Sequence, residues 1–456
     1  MDIQNIVLQQ KKFFATGKTL SYEFRINALK KLEQAIKKYE KDIYQVLRAD
    51  LGKSEFEAYL TEVGMVYSGL HHTMKKLKKW MKPEKVRTPL ANFRGSSYRQ
   101  PSPYGNALIM SPWNYPILLT LDPLVFALAA GNTAVVKPGS YSKNVSELLA
   151  KMLGEIFPSE YVAVVLGGRK ENTELLDQKF EYIFFTGSTT VGRLVQEKAS
   201  VHLTPITLEL GGKSPTIIDA TADIQLAAQR TVFGKFLNCG QTCVAPDYFL
   251  VHKAIHKEFV AAVKHEIVKQ FGEEPLKNEN YGKIINTKHY ERLLGLINQE
   301  KVVIGGKGNP ETNQIEPTVL DNVTLDDAVM GEEIFGPIMP IIVFEKDEEI
   351  EEIIAHNPTP LAFYLFTKRK DFAKYLTRKV SFGGGCINDV IVHLATNNMP
   401  FGGVGESGMG AYHGKWGFDT FTHYKSIHKK EAWPNLTIRY QPYTKKKLNL
   451  VKKFLK

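Results

Sequence analysis

Cysteine is scarce in this chain: Cys239, Cys243 and Cys386 are the only three among 456 residues. An odd count fits poorly with the disulfide framework of an exported protein and fits a reducing, cytoplasmic setting. A second cysteine pair and an H-E-x-x-H pattern are both missing, so no metal centre is expected. Long hydrophobic runs are missing too. The longest, Ile117 to Ala130, is interrupted by Asp122 and Pro123 and is too short to span a bilayer. Met1 to Gln10 lacks the basic start and apolar core of a signal peptide. No internal repeat is evident, and no motif of a known nucleic-acid reader occurs, so the formal charge of +11 does not indicate a nucleic-acid partner.

What is present belongs to a globular protein. Hydrophobic residues make up 43% and charged residues 23% of a chain long enough for two or three domains with large cores. Much of the net charge sits at the end, where Lys445 to Lys456 holds six lysines and no acid. Leu448, Val451 and Leu455 fall on one face of a helix there. A basic amphipathic helix can lie on an anionic membrane surface, here the inner one. The alternative is a solvated terminus.

Along the chain, Tyr22 to Asp50 carries apolar residues at helical spacing, and Glu55 to Lys82 reads as a second helical stretch stopped by Pro83. Thr88 to Pro103 is polar and reads as a connecting arm or hairpin. From Tyr104, strands expected at 106–110, 133–137, 161–166, 182–186, 206–210 and 216–219 alternate with helices at 142–157 and 189–200. The alternation resumes after Gly212. Helices are expected at 223–237, 256–271, 348–356 and 370–379, with strands at 248–251, 302–304, 341–344 and 362–366. Such alternation predicts parallel βαβ units covered by helices, divided near Leu210 to Gly212.

Several segments combine residue types suited to chemistry. Gly234 to Tyr248 reads G-K-F-L-N-C-G-Q-T-C-V-A-P-D-Y, a Gly-containing bend between a helix and a strand. Cys243 is the candidate nucleophile, which nearby N–H groups or cations would help to ionise. Cys239 is a neighbour, a resolving thiol or a ligand, and Cys386 reads as a buried small residue. Gly187-Ser188-Thr189-Thr190-Val191-Gly192 turns from a strand into a helix, which suits either a pyrophosphate or an ordinary tight turn. Lys137 ends a strand where doubly wound sheets bind ligands. Asn114 is held between two prolines and can act as an oxyanion donor or a turn residue. Glu209, between leucines, is an edge residue or a desolvated base. Glu332-Glu333-Ile334-Phe335-Gly336-Pro337 and Pro400-Phe401-Gly402-Gly403 complete the set.

Taken together these segments resemble the aldehyde dehydrogenase superfamily. F-T-G-S-x-x-V-G, E-L-G-G-K-S-P, G-Q-x-C, E-E-I-F-G-P and P-F-G-G-V-G-x-S-G-x-G occur in the family's order between Trp113 and Gly410. The short N-terminus and Tyr412-His413-Gly414-Lys415 are closest to the class 3 type, dimeric enzymes acting on medium-chain, fatty and aromatic aldehydes. The resemblance implies an α/β fold with a Rossmann-like cofactor domain (1–87 and 104–210), a second α/β catalytic domain (211–410) and a small oligomerisation arm and tail (88–103 and 411–456). It implies a homodimer that oxidises an aldehyde with NAD or NADP through a cysteine thiohemiacetal and thioester. Cys243 would be the nucleophile, Glu209 the base, and Asn114 with the Cys243 N–H the oxyanion hole. Gly187, Ser188, Val191 and Gly192 would meet the pyrophosphate, Lys137 and Glu333 the two riboses, and Phe335 the nicotinamide. Ser140 stands where relatives usually carry a ribose-binding glutamate, and a serine there removes the repulsion of a 2′-phosphate. A Cys239–Cys243 disulfide under oxidation is a further expectation. Trp113, Tyr115 and Tyr412 are expected in an aldehyde channel. The alternatives are a coenzyme A-acylating enzyme, against which Glu209 argues, and a non-enzymatic binding protein on the same scaffold.

Overall fold

The computed structural model describes residues 2–454; Met1, Leu455 and Lys456 lie outside it. Its first sheet has six strands in the order Gly408–Met409, Ile206–Glu209, Tyr182–Thr186, Asn106–Met110, Thr133–Lys137 and Val162–Val164, parallel apart from the first. The central strands are buried on both faces, so their sequences read as continuous apolar runs. Alternate residues divide between two cores. Ala107, Ile109, Val136 and Phe184 face helices Tyr22–Leu51, Gly64–Trp80, Leu118–Ala130 and Lys143–Ile156, while Leu108, Met110, Val135 and Phe185 face Ile3–Ala15 and Thr189–Ser200. Chain direction across the sheet reverses at Asn106–Met110. The two later strands are laid down on one side of it and the two after those on the other. The crevice at that reversal, beyond the C-terminal strand ends, is where doubly wound sheets bind ligands.

The second sheet has seven strands in the order Val302–Ile304, Thr318–Leu320, Ile338–Phe344, Tyr248–His252, Pro215–Ile218, Ala362–Phe366 and Gly384–Ile387, with only the first antiparallel. One hydrophobic core runs from the first sheet into this one through Phe249, Val251, Ile341 and Tyr364. A separate core lies on its far face. A third, antiparallel sheet joins Glu84–Val86, Gly95–Pro103 and Thr422–Lys430. The arm expected over 88–103 is thus one strand of a sheet completed by a nine-residue pairing with the C-terminal segment.

Most expected elements are present within a residue or two. The helices Ile3–Ala15, Arg169–Leu176, Thr287–Gly295 and Gly414–Thr420 were not anticipated, nor was the edge strand Gly384–Ile387. Cys386 lies on that strand, only partly buried, with its sulfur 3.6 Å from His393 Nδ1, instead of in a core. The stretch after Ser54 is helical to Trp80 but passes through a π-helical turn at Tyr59–Val63. Such single turns redirect side chains. Here Leu60 and Thr61 line a cavity while Glu62 points inward to Lys53.

Lys53 and Glu62 are fully buried and paired at 2.6 Å. Lys53 Nζ also donates to Asn114 O (3.1 Å) and lies 3.9 Å from the centre of the Tyr115 ring. Glu62 Oε2 accepts from the backbone N–H groups of Ile117 (2.8 Å) and Leu118 (3.2 Å), where the positive end of helix Leu118–Ala130 favours a carboxylate. The N-terminal helices therefore hold the 111–118 loop through charge as well as packing. Breaking such a pair from one side leaves an uncompensated buried charge, at a cost of about 3–5 kcal/mol. Lys53→Met should lower the thermal midpoint sharply, and the double variant Lys53→Met/Glu62→Leu should lower it less. Equal midpoints for Lys53→Met and the parent would show that the pair contributes nothing.

Candidate active site

Helix Ile224–Phe236 ends in a turn whose successive residues Asn238 (φ 51°), Cys239 (φ 52°) and Gly240 (φ 72°) are all left-handed. Only glycine fits at 240, because an added Cβ would lie 2.2 Å from Gly336 O. Polar side chains brace the turn. Glu57 Oε1 accepts from Asn238 N (2.8 Å), and Gln241 Nε2 donates to Asn238 O and Lys283 O (both 3.0 Å). Gln241 Oε1 accepts from Ile285 N (3.0 Å).

The turn sends the two cysteines apart. Cys239 is buried in the second sheet's outer core beside Tyr281 and Gly282. Cys243 packs against the shared core and lines an apolar cavity of about 190 Å³. Both are free thiols. The two thiols have different surroundings, Cys239 in that outer core and Cys243 against the shared one. The cavity's other walls include Tyr115, Leu118, Phe233, Phe401 and Tyr412. Trp113, expected there with the two tyrosines, instead packs with Phe335 (5.4 Å between rings, edge-on), His289 and Tyr141.

Burial pushes the Cys243 thiol up to about 12, reinforced by the carboxyls of Glu333 and Glu209, and the N–H groups of Val244 and Cys243 itself pull it down. Glu209 ends strand Ile206–Glu209 and is only 2% exposed. Neither carboxyl oxygen has a hydrogen-bond partner among the described residues, and desolvation raises its pKa well above the usual carboxylate range. The strand lies between Tyr182–Thr186 and Gly408–Met409, so Glu209 is not an exposed edge residue. Asn114 is buried and donates through Nδ2 to Gln241 O (3.0 Å), while its carbonyl accepts from Lys53 and Asn238. An amide nitrogen carries two hydrogens, so one remains for another acceptor. Tyr115 OH and Thr242 Oγ1 are 2.6 Å apart, tying the Asn114 loop to the residue before Cys243.

A second group lines the crevice at the sheet's reversal. Ser188 caps helix Thr189–Ser200 by accepting from Val191 N, with no acidic residue in the first turn, and Gly187 N donates to Glu209 O (3.0 Å). Gly192 packs on Leu210, whose Cδ2 would lie 2.6 Å from an added Cβ. Val191 itself is exposed. Lys137 is 3% exposed, its Nζ bonded only to Pro138 O (2.9 Å), and burial pulls it down to about 8. Ser140 is exposed. Glu333 approaches the backbone so closely that a Cβ on Gly211 would be 2.0 Å from Oε2. Burial, then Asp247, pushes Glu333 up to about 8, against the Gly212 N–H, Lys213 and Arg292. Its loop is fixed by Lys213, which bonds Asp247 (2.6 Å), Val329 O and Glu332 O, and by Ile334 N donating to Asp247.

A dinucleotide fits these residues: a capped helix start free of acid for a pyrophosphate, an amine with one backbone partner among the described residues for a hydroxyl, and a carboxyl set against the Gly211–Gly212 backbone. Lys53, Glu57, Glu62, Asn238, Gln241 and the Lys213–Asp247 pair were missed in the sequence reading. Lys213, Asn238, Gln241 and Asp247 lie inside quoted motifs, which is the one signal that could have found them. The others act through contacts between segments distant in the chain.

Comparison with known proteins agrees with this geometry. The model of the aldehyde dehydrogenase family matches residues 1–427. The 4,4′-diaponeurosporen-aldehyde dehydrogenase of Staphylococcus aureus is 45% identical over 99% of this chain and 100% of its own. The dimeric NADP-preferring aldehyde dehydrogenase of Canis lupus familiaris is 42% identical over 93% of this chain and 94% of its own. A substrate-bound structure of Staphylococcus aureus AldH superposes with a TM-score of 0.98 at 44% identity, covering 100% of both chains. The chain belongs to the aldehyde dehydrogenase family, and is an oxidoreductase that acts on aldehydes with NAD or NADP.

Proposed function

We propose that this enzyme oxidises apolar aldehydes, medium- or long-chain or aromatic, to carboxylic acids by covalent catalysis at Cys243. The observation that carries the reading is a cavity-lining thiol that feels the charge of Glu209, a buried carboxyl whose two oxygens have no partner among the described residues. In the resting site the thiol is protonated, so its proton must leave as sulfur attacks the carbonyl carbon. That proton passes to solvent, and the N–H groups of Val244 and Cys243 favour the thiolate. The second Asn114 N–H and the Cys243 backbone N–H stabilise the oxyanion of the thiohemiacetal. A bound nicotinamide supplies the acceptor for the hydride. Gly187, Ser188, Val191 and Gly192 would hold the pyrophosphate, Lys137 and Glu333 the riboses, with Phe335 and Trp113 against the nicotinamide. Glu209 then takes a proton from the water that hydrolyses the Cys243 thioester.

Cys243→Ser should abolish oxidation. Glu209→Gln should slow deacylation by about 10²–10⁴-fold, so that a pre-steady-state burst of reduced cofactor precedes slow turnover. Because Glu209 must be ionised to act and its pKa is raised, parent turnover should rise with pH above the ordinary carboxylate range, and Glu209→Gln should flatten that rise. Wild-type rates from Cys243→Ser would end this mechanism.

Exposed Ser140 supports acceptance of NADP alongside NAD. Ser140→Glu should lower kcat/KM for NADP relative to NAD by at least about tenfold, through like-charge repulsion of the 2′-phosphate. A strong NAD preference in the parent would reject this reading.

The class 3 resemblance and the dimeric state named for the relative from Canis lupus familiaris support a homodimer. The third sheet supports it too, carrying exposed Val86 and, in its loop, exposed Leu90 and Phe93. For the tail, helix Lys445–Phe454 presents exposed Leu448 and Leu450 among lysines, and Trp433, Leu436, Tyr440 and Tyr443 before it are exposed as well. Leu455 of the expected apolar face lies outside the described residues. Apolar and aromatic side chains beside clustered lysines are the composition that binds an anionic bilayer surface, and a cytoplasmic enzyme would meet the inner one. Full-length protein should sediment with phosphatidylglycerol vesicles and not with phosphatidylcholine vesicles, and removal of Lys445 to Lys456 should abolish the difference. Equal partitioning of the two forms would reject membrane contact.

A further inference from the structure

Next to the apolar cavity lies a smaller one of about 20 Å³, bounded by Ser68 and Gly69 of helix Gly64–Trp80 and by Asp122 of helix Leu118–Ala130. The two cavities share Met65, Leu118, Leu394, Ala395 and His413. The smaller has room for about one water-sized group. Asp122 is 4% exposed and accepts no hydrogen bond from any described residue. Its nearest charge-bearing neighbour is His413, whose Nε2 stands 3.7 Å from Oδ2, beyond hydrogen-bonding range. Gly69 leaves the carboxyl its space, since a Cβ there would lie 2.6 Å from Oδ1. His413, also buried, stacks on Phe401 with ring centres 5.4 Å apart. Burial pushes Asp122 up to about 7 and His413 down to about 4, so the imidazole is neutral near pH 7.

A buried carboxyl without a donor is costly, and nothing in the packing of these helices requires one. At the rim of an apolar cavity, the group it lacks can come from the ligand. We infer that Asp122 and His413 form a polar end to the substrate cavity, which recognises a hydroxyl group at the far end of an otherwise apolar aldehyde. The hydroxyl donates to the Asp122 carboxyl and bonds His413 Nε2 on its other side. A full positive charge suits the site less, because it would cross apolar walls that offer no other partner. This inference rests on the reading of the apolar cavity as the aldehyde site.

The test is kcat/KM for n-alkanals and for ω-hydroxyalkanals and ω-ammonioalkanals of matched length, taken through a series of chain lengths. At the length that reaches Asp122, the parent enzyme should favour the hydroxyl form over the plain one by at least about tenfold, as sites built to hydrogen-bond a substrate hydroxyl do. The ratio should fall to near unity in Asp122→Leu and survive in Asp122→Asn, which keeps an acceptor of the same shape. His413→Phe, which preserves the stacking on Phe401, should also lower it, and thermal midpoints confirm folding of each variant. The inference is overturned if no length shows the preference, if Asp122→Leu keeps it, or if the ammonium form is favoured over the hydroxyl form. Failure of every plain alkanal as a substrate would instead reject the cavity as the aldehyde site, and the inference with it.

Discussion

The site depends on one strained turn. Asn238 and Cys239 are non-glycine residues in the left-handed region, a conformation that costs on the order of 1–3 kcal/mol each and persists only where surroundings over-determine it. Those surroundings come from distant parts of the chain. Glu57 arrives from the N-terminal helices, Asn114 from the first sheet's reversal, Gly336 from the Glu333 loop, and Lys283 and Ile285 from the segment before helix Thr287–Gly295. The thiol of Cys243 is therefore placed by the whole fold, and a change to any brace reaches it through the turn.

Charge is distributed by the same logic. Buried ions whose job is to hold loops are paired at short range: Lys53 with Glu62, and Lys213 with Asp247. Each carries extra hydrogen bonds to backbone, as a buried pair needs if it is not to cost more than it returns. The carboxyls proposed to act at the reacting groups have no side-chain hydrogen-bond partners among the described residues. Among the described residues Glu209 has no hydrogen-bond partner, and Glu333 is met by a backbone N–H and more distant charges. Their raised pKa values follow from that isolation, and groups poised this way can take a proton at neutral pH where a paired carboxylate could not.

The sequence showed the fold's repeating part well. Strands such as Asn106–Met110 and Tyr182–Thr186 are continuous apolar runs closed by turn residues, and their bounds were read correctly because burial on both faces leaves no polar interruption. The N-terminal helix Ile3–Ala15 was missed although seven of its thirteen residues are apolar; it docks through Ile3 and Val7 and partly by polar contact, Gln10 donating to Ala134 O and Ser159 O. Motif spacing put Cys243, Glu209, Asn114 and Glu333 on the page. It singled out Cys243 over Cys239, but four residues of sequence do not reveal the left-handed turn that gives the two thiols different surroundings. Asp122 was visible only as an interruption in an apolar run, and its meaning depends on what two helices and His413 leave around it.

The two halves of the site meet at very few atoms. The apolar cavity touches Cys243 and Thr242 but none of Lys137, Gly187, Ser188 or Glu333, which line the crevice on the sheet's side. Tyr412 and Phe401 close the cavity toward the first sheet, with Tyr412 packed edge-on against Phe184 at 5.1 Å. An aldehyde and a nicotinamide approaching from these two directions share only the sulfur's immediate surroundings. That separation lets an apolar pocket select the aldehyde by desolvation while a polar crevice selects the dinucleotide, with neither surface compromised by the other. It also confines water to the few groups that must activate it. Under the proposed mechanism, a thioester held between apolar walls and a bound cofactor would meet only water that Glu209 can reach, so hydrolysis would wait on the base.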